Sequence, residues 1–117
     1  MTELVYEQIQ PLTKSEATIA FNSGDSRQIT MALLGTAYYL DDWQWVQDQC
    51  LRFLSSTDRN VRTIAVISLG HLARIHSKLD TEKVYPILAG LKSDPEIGDE
   101  VTQTLEEIEW FLAHPET

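Results

Sequence analysis

The chain has 117 residues, of which 43% are hydrophobic and 23% charged, ordinary values for a globular domain that exclude wholesale disorder. Its formal net charge of −9 disfavours binding to nucleic acid, because an acidic surface repels phosphate backbones. With a single cysteine, no apolar run of about 18 residues and no signal-peptide pattern at the start, we expect one domain, residues 1–117, in the cytoplasm and outside any membrane.

The first third of the chain predicts two short helices and then a longer one. One short helix is expected over residues 3–10, before Pro11, and a second after Ser15, stopped by the Asn-Ser-Gly run at 22–24. Asp25 has the position of an N-cap, whose carboxylate accepts hydrogen bonds from free backbone N–H groups. The helix that it opens has inward positions at spacings of three and four, namely Ile29, Ala32, Leu33, Gly35, Thr36 and Tyr39.

Two helical hairpins are predicted across the middle of the chain. The first is completed by a return helix over residues 43–54. The second pairs a helix from Asp58 to about His76 with a return helix capped by Asp80. The residues expected to face inward on the two return helices are Val46, Cys50, Phe53, Leu54, Val84, Ile87, Leu88 and Leu91.

A last helix is expected to begin at Asp94 and Pro95 and to end near Leu112, without a return partner. Gly35 and Gly70 lie inside predicted helices, where glycine costs about 1 kcal/mol relative to alanine, and we expect close helix–helix approach to compensate. No convincing strand alternation occurs, so the predicted fold class is all-α.

The segment after Asp58 recurs in weaker form 36 residues later, where Asp94 takes the place of Asp58. Further equivalent pairs are Val61 and Ile97, Ala65 and Val101, Leu69 and Leu105, Leu72 and Ile108, and Ile75 and Phe111. Self-similarity at this period is typical of helical repeats, in which one unit cannot bury its apolar face alone. It predicts a short right-handed stack of antiparallel helix pairs, an α-α solenoid of about six or seven helices.

The best copy of the repeat is formed by Asp58, Val61, Arg62, Ala65, Ser68, Leu69 and Gly70. This pattern resembles a HEAT repeat, and the likeness extends over residues 25–112. It is weaker in the first unit, which has Gln28 and Ile29 at the Val-Arg positions, and in the last, which has Gly98 in place of the arginine. The resemblance implies a curved, protein-binding helical layer in which Asp58 and Arg62 brace the turn between repeats.

A narrower resemblance rests on size, acidity, helical layout and the middle section from Val61 to His76. Small acidic HEAT-like proteins of this kind are similar to bacterial immunity proteins of the polymorphic-toxin and contact-dependent growth inhibition type. Those proteins neutralise a toxin, often a basic nuclease, by covering its active site. The likeness therefore implies a basic toxin domain as partner, with the chain a monomer alone and bound 1:1 in the complex.

The residues with reactive side chains do not form a recognisable catalytic pattern. His71 and His76 are about 140° apart around a helix, so they do not converge on one metal ion. Cys50 lies among apolar positions, which favours a buried, inert thiol. We therefore expect a protein that is not an enzyme and that has no cofactor, no catalytic residues and no metal site.

Two regions are candidate binding surfaces. At the corner of the first hairpin, Trp43 and Trp45 are about 200° apart, so one is expected to be exposed beside the carboxylates as an anchor. Alternatively, Trp43 fills a gap beneath Tyr38 and Tyr39. In the last helix, acidic residues with no Lys or Arg after Lys92 favour recognition of a basic partner over a merely solvated face. The predicted partner-binding residues are Asp41, Asp42, Trp43, Trp45, Asp48, Asp99, Glu106, Glu107 and Trp110.

Two functions remain open from the sequence. The first is an immunity protein that covers the active site of a basic toxin, its acidic groups accelerating association. The alternative is a HEAT-like scaffold or adaptor that binds a protein or peptide client through its return helices. The residues expected to serve the alternative are Gln44, Gln47, Asp48, Glu82 and Tyr85.

Overall fold

A computed structural model describes residues 9–115, and over that range the protein consists of six α-helices with no β-strand. The helices are α1 Lys14–Phe21, α2 Ser26–Tyr39, α3 Trp43–Phe53, α4 Arg59–His76, α5 Thr81–Gly90 and α6 Gly98–Ala113. The prediction of an all-helical chain is confirmed for the described residues. The short helix predicted over 3–10 falls almost entirely outside them, and residues 9 and 10 carry no regular secondary structure.

The first helices begin where side chains can satisfy their free N–H groups. Asp25 Oδ1 accepts from the Gln28 N–H at 2.9 Å, and Asp58 Oδ1 accepts from the N–H groups of the second and third residues after it at 2.8 and 3.2 Å. Both predicted N-caps are thereby confirmed. α1 begins one residue before Ser15, because Thr13 and Glu16 form a reciprocal capping box.

The predicted starts of the last two helices need correction. Asp80 precedes α5, but its carboxylate accepts no capping hydrogen bond, and its own N–H donates to Gln47 Oε1 at 2.8 Å. α6 begins at Gly98 instead of at Asp94 and Pro95, because the backbone of Ile97 (φ −123°, ψ 2°) is not helical. Pro95 therefore lies in a turn that precedes the helix.

Gly98 has a steric reason to replace the arginine of the repeat. A Cβ atom on Gly98 would collide with the carbonyl oxygen of Lys92, which approaches the start of α6. Asp94 still acts as Asp58 does, since its Oδ1 accepts from the N–H groups of Glu96 and Ile97 at 2.8 and 3.1 Å. The last unit thus keeps the aspartate of the pattern and loses the arginine to a close backbone contact.

Helix α4 lies at the centre of the packing. It packs against α2, α3 and α6, while α1 packs on α2 and α5 packs on α6. Its buried apolar side chains are Val61, Ala65, Val66, Leu69, Leu72 and Ala73. Each large aliphatic side chain buried in this way contributes about 1.5–3 kcal/mol, so α4 supplies much of the hydrophobic stabilisation.

The residues predicted to face inward on the first return helix are confirmed, since Val46, Cys50 and Phe53 of α3 and Leu54 directly after it are all buried. Two other predictions of burial are wrong. Tyr39, the last residue of α2, is 52% exposed, and Ile87 is 41% exposed because Val84 and Leu88 take the buried side of α5. Helix α2 also buries Leu34 and Ala37, which the sequence did not single out, because three helices surround it.

The two mid-helix glycines differ in their surroundings. A Cβ atom on Gly35 would lie 2.6 Å from the Gln10 carbonyl oxygen and 2.5 Å from Leu12 Cδ2, so the close neighbour is the segment before α1 and not a helix. A Cβ atom on Gly70 would meet only Thr104 Cγ2, at an ordinary 3.4 Å. The prediction of a close helix–helix approach is therefore wrong at Gly35. At Gly70 the neighbouring helix leaves room for a Cβ atom, so helix packing does not require glycine there.

Within residues 9–115, no helix combines the length and the apolar character that crossing a membrane requires.

Candidate partner-binding surface

Arg62 links three parts of the structure. Its Nε donates to the Leu54 carbonyl at 3.1 Å, and its Nη2 and Nη1 donate to Asp94 and Glu96 at 2.6 and 3.2 Å. The hydrogen bond from Arg62, helped by backbone N–H groups, lowers the pKa of the Asp94 carboxyl below its ordinary value. Two of the acidic residues near α6 are thus engaged in bracing the fold.

The acidic corner before α3 is also partly engaged within the chain. Asp42 Oδ1 caps α3 by accepting from the Trp45 N–H at 3.2 Å, and its Oδ2 lies 2.5 Å from Lys14 Nζ. The Lys14 contact is the main cause of a lowered pKa at Asp42. Asp41 is exposed beside it. A partner would have to compete with Lys14 for the Asp42 carboxylate.

The two tryptophans of this corner are both half-buried, so the expectation of one exposed indole is wrong. Trp45 packs against Phe21 of α1 with ring centroids 6.1 Å apart, and Lys14 Nζ lies 5.6 Å from its centroid. Trp43 also packs against the buried core. α1 therefore covers an indole that the helix spacing alone would have left in solvent.

Asp48, the third acidic residue predicted near this corner, pairs with a lysine of the next return helix. Its Oδ1 lies 2.9 Å from Lys83 Nζ, and both side chains are about half exposed. This contact raises the pKa of Lys83 above its ordinary value. The ion pair joins α3 to α5, so Asp48, like Asp42, already has a cationic neighbour.

The other predicted partner-binding residues lie on helix α6, where they are exposed. Asp99, Glu106 and Glu107 are exposed, and no carboxylate of α6 forms an ion pair with any residue in 9–115. Trp110 is 47% exposed, one helical turn beyond Glu106, and its ring stacks on His114 at 4.2 Å. The helix thus combines uncompensated negative charge with an accessible aromatic surface.

A cleft of about 230 Å³, which was not predicted from the sequence, lies between α4 and α6. Its lining residues are Ile67, Gly70, His71 and Arg74 from α4, and Glu100, Gln103, Glu107 and Phe111 from α6. They recur at spacings of three and four on two helices with equivalent repeat positions. This spacing is the feature of the sequence from which the cleft could have been predicted. Of the predicted partner-binding residues, Glu107 lines the cleft.

His71 has an unusual environment in this cleft. Arg74 Nη2 lies 3.2 Å from His71 Nδ1, and because a guanidinium can only donate, the neutral ring carries its proton on Nε2. That Nε2 is buried and has no hydrogen-bond partner among the described residues. Burial, and then the charge of Arg74, lowers the pKa of His71 to about 4, so the ring is neutral at pH 7.

Cys50 is fully buried, as predicted, and burial raises the pKa of its thiol above the ordinary value. The thiolate, which is the reactive form, is therefore disfavoured. Across residues 9–115, no three His, Cys, Asp or Glu side chains are grouped as ligands for a metal ion.

The fold is similar to that of a solved protein. A chain in the crystal structure of a CDI complex from Cupriavidus taiwanensis LMG 19424 matches with a TM-score of 0.79 and 28% sequence identity. The match covers 89% of this chain and 94% of that chain. No family model and no curated protein matches the sequence. The likeness thus extends over nearly the whole length of both chains and is to a component of a CDI complex.

Proposed function

We propose that this protein is an immunity protein that binds a basic toxin domain and neutralises it by covering the active site of the toxin. The observation that carries the proposal is the likeness, over 89% of this chain, to a chain of a CDI complex. CDI stands for contact-dependent growth inhibition, in which a toxin is bound by its immunity protein. The protein would act in the cytoplasm by binding alone, without catalysing a reaction.

The charge of the chain supports the immunity role over the toxin role. The net charge is −9, and the carboxylates of α6 have no cationic partner among residues 9–115. A surface of this kind complements a basic protein and accelerates its association, since opposite potentials steer the encounter. A basic toxin, such as a nuclease, has the complementary surface.

The packing order supports a short HEAT-like solenoid as the scaffold for this role. The first helices of the successive units, α2, α4 and α6, pack in that order, with α4 between its neighbours. Arg62 joins α4 to the end of α3 and to the turn before α6, the bracing position that the HEAT resemblance implies. We propose a right-handed stack in which α6 is the terminal helix.

Helix α6 is the better binding surface of the two that the sequence offered. Asp42 and Asp48 are already paired with Lys14 and Lys83, and their use would require breaking those contacts. Glu106 and Trp110, by contrast, are exposed and one helical turn apart. Trp110 would be the anchor, because exposed aromatic side chains carry a large share of interface energy.

The direct experiment uses the toxin domain encoded beside this chain in its native host. Cells that express that domain should survive when this chain is co-expressed, and the two purified proteins should form a 1:1 complex. A complex without protection of the cells would contradict neutralisation. Failure of the two proteins to bind would contradict the proposal as a whole.

The alternative, a scaffold that binds a client through α3 and α5, has some support because Asp48 and Lys83 connect these helices at an exposed surface. Gln47, one of its predicted residues, is buried and accepts from the Asp80 N–H, so it is not accessible to a client. Glu82→Gln would weaken binding to a client of α5, whereas Glu106→Gln would weaken binding to a partner of α6. Comparing these two isosteric variants distinguishes the two surfaces.

A further inference from the structure

We infer that the cleft between α4 and α6 receives one lysine or arginine side chain of the toxin domain. The inference rests on the proposed function and adds a defined subsite to it. At about 230 Å³, the cleft is smaller than the sites of about 300–1,000 Å³ that hold drug-sized ligands, so its size suits a single side chain.

Gly70 keeps the cleft open. Glycine is less favourable than alanine in a helix interior, and the neighbouring helix does not require it, because a Cβ atom would meet only Thr104 Cγ2 at 3.4 Å. The lining nevertheless includes Gly70, so a methyl group there would take up part of the space. Glycine at position 70 is therefore best explained by the space that a partner side chain needs in the cleft.

The charge in the cleft favours a cationic occupant. Glu100 and Glu107 line the α6 wall, and neither pairs with a cation in residues 9–115. Arg74 lines the opposite wall, but its guanidinium carbon lies 5.7 Å from the Tyr38 ring of α2 and Nη2 contacts His71. Arg74 thus leans towards α2 and leaves the two carboxylates free. Ile67 and Phe111 would contact the aliphatic part of the entering side chain.

Three variants and the toxin domain encoded beside this chain test the inference. Gly70→Ala should raise the Tm by about 2–5 °C and weaken toxin binding about tenfold, because it favours the helix while filling the cleft. Glu107→Gln should weaken binding by about the same factor. Glu109→Gln makes the same charge change on the side of α6 that faces Tyr85 of α5, and it should change the Kd by less than about twofold.

An alanine scan of the lysines and arginines of the toxin completes the test. One of them should show a double-mutant coupling of about tenfold or more with Glu107→Gln. Wild-type binding by both Gly70→Ala and Glu107→Gln would overturn the inference and leave the proposed function intact. If the wild-type chain does not bind the toxin domain, both are overturned. A lowered Tm for Gly70→Ala would show that the helix packing requires the glycine, and would overturn the argument that Gly70 keeps the cleft open. The effect of Glu107→Gln on toxin binding would then decide whether a cationic side chain enters the cleft.

Discussion

Arg62 and Lys83 each pair with an acidic side chain of another part of the fold, but they differ in burial. The Arg62 side chain is 14% exposed and also donates to a backbone carbonyl, whereas Lys83 and its partner Asp48 are 51% and 53% exposed. Arg62→Ala would remove the donor to the Leu54 carbonyl and the cation that pairs with Asp94 Oδ2, although Asp94 Oδ1 keeps its two backbone N–H donors. We therefore expect a loss of about 1–3 kcal/mol in the free energy of unfolding. Lys83→Ala should leave the free energy of unfolding almost unchanged, because ion pairs between exposed side chains contribute little to stability.

Urea denaturation of the two alanine variants measures this difference. Equal losses for Arg62→Ala and Lys83→Ala would contradict the bracing role of Arg62.

His71 gives the protein a defined pH dependence. Its pKa is about 4 in the folded protein and 6.5 in the unfolded chain, so the unfolded chain binds more protons between these values. The contribution of His71 to the free energy of unfolding is therefore fully present above pH 6.5 and is lost as the pH drops towards 4. Because the ring is partly solvated, we expect this loss to be below about 1 kcal/mol per pH unit.

His71→Gln removes this titration, so its free energy of unfolding should depend less on pH between 6.5 and 4.5 than that of the wild type. The lowered pKa values of Asp42, Asp58 and Asp94 act mainly below this window, since their ordinary value is 3.8. Parallel stability curves for wild type and variant would contradict the neutral, half-buried state of His71.

At the scale of the helices, a substitution at Gly98 tests why glycine replaces the arginine of the repeat at the start of α6. Gly98→Ala would place a methyl group against the Lys92 carbonyl, and we expect a loss of about 1–3 kcal/mol from the resulting strain. Gly90→Ala is a matched control, because a Cβ atom there meets nothing within 4 Å. Thermal unfolding measures both, and an unchanged Tm for Gly98→Ala would contradict the steric account.

Local signals in the sequence were enough for most of the helices. Asp25 and Asp58 each precede their helix by one residue and cap it through their own neighbours, so both starts could be read from the chain. The start of α6 could not, because it depends on the Lys92 carbonyl and on the turn at Ile97. The half-burial of Trp45 likewise depends on α1, whose Phe21 is distant in sequence.

The candidate surface was only partly predictable for the same reason. The acidic composition of α6 was visible in the sequence, but the pairing of Asp42 with Lys14 spans 28 residues and that of Asp48 with Lys83 spans 35. Only these contacts show which carboxylates are paired with a cation and which are not, and the composition of the sequence does not contain that information. The α4–α6 cleft required knowing which two helices pack together.

At the scale of the whole molecule, the negative charge of α6 should control the rate of association with the toxin. Replacing Asp99 by Asn and both Glu106 and Glu107 by Gln should lower the association rate constant about tenfold at low salt and reduce its dependence on ionic strength. Stopped-flow fluorescence measures both quantities. An Asp41→Asn, Asp48→Asn variant is the control, and an equal effect there would place the steering charge at the other surface.

The central claim is that the partner binds to α6 and to the cleft between α4 and α6. Hydrogen exchange of the amides, compared between the free protein and its complex with the toxin domain encoded beside it, tests this directly. We expect slowed exchange in α6, residues 98–113, and in the part of α4 that lines the cleft, residues 67–74. Slowed exchange confined to α3 and α5, or none anywhere in the chain, would contradict the account.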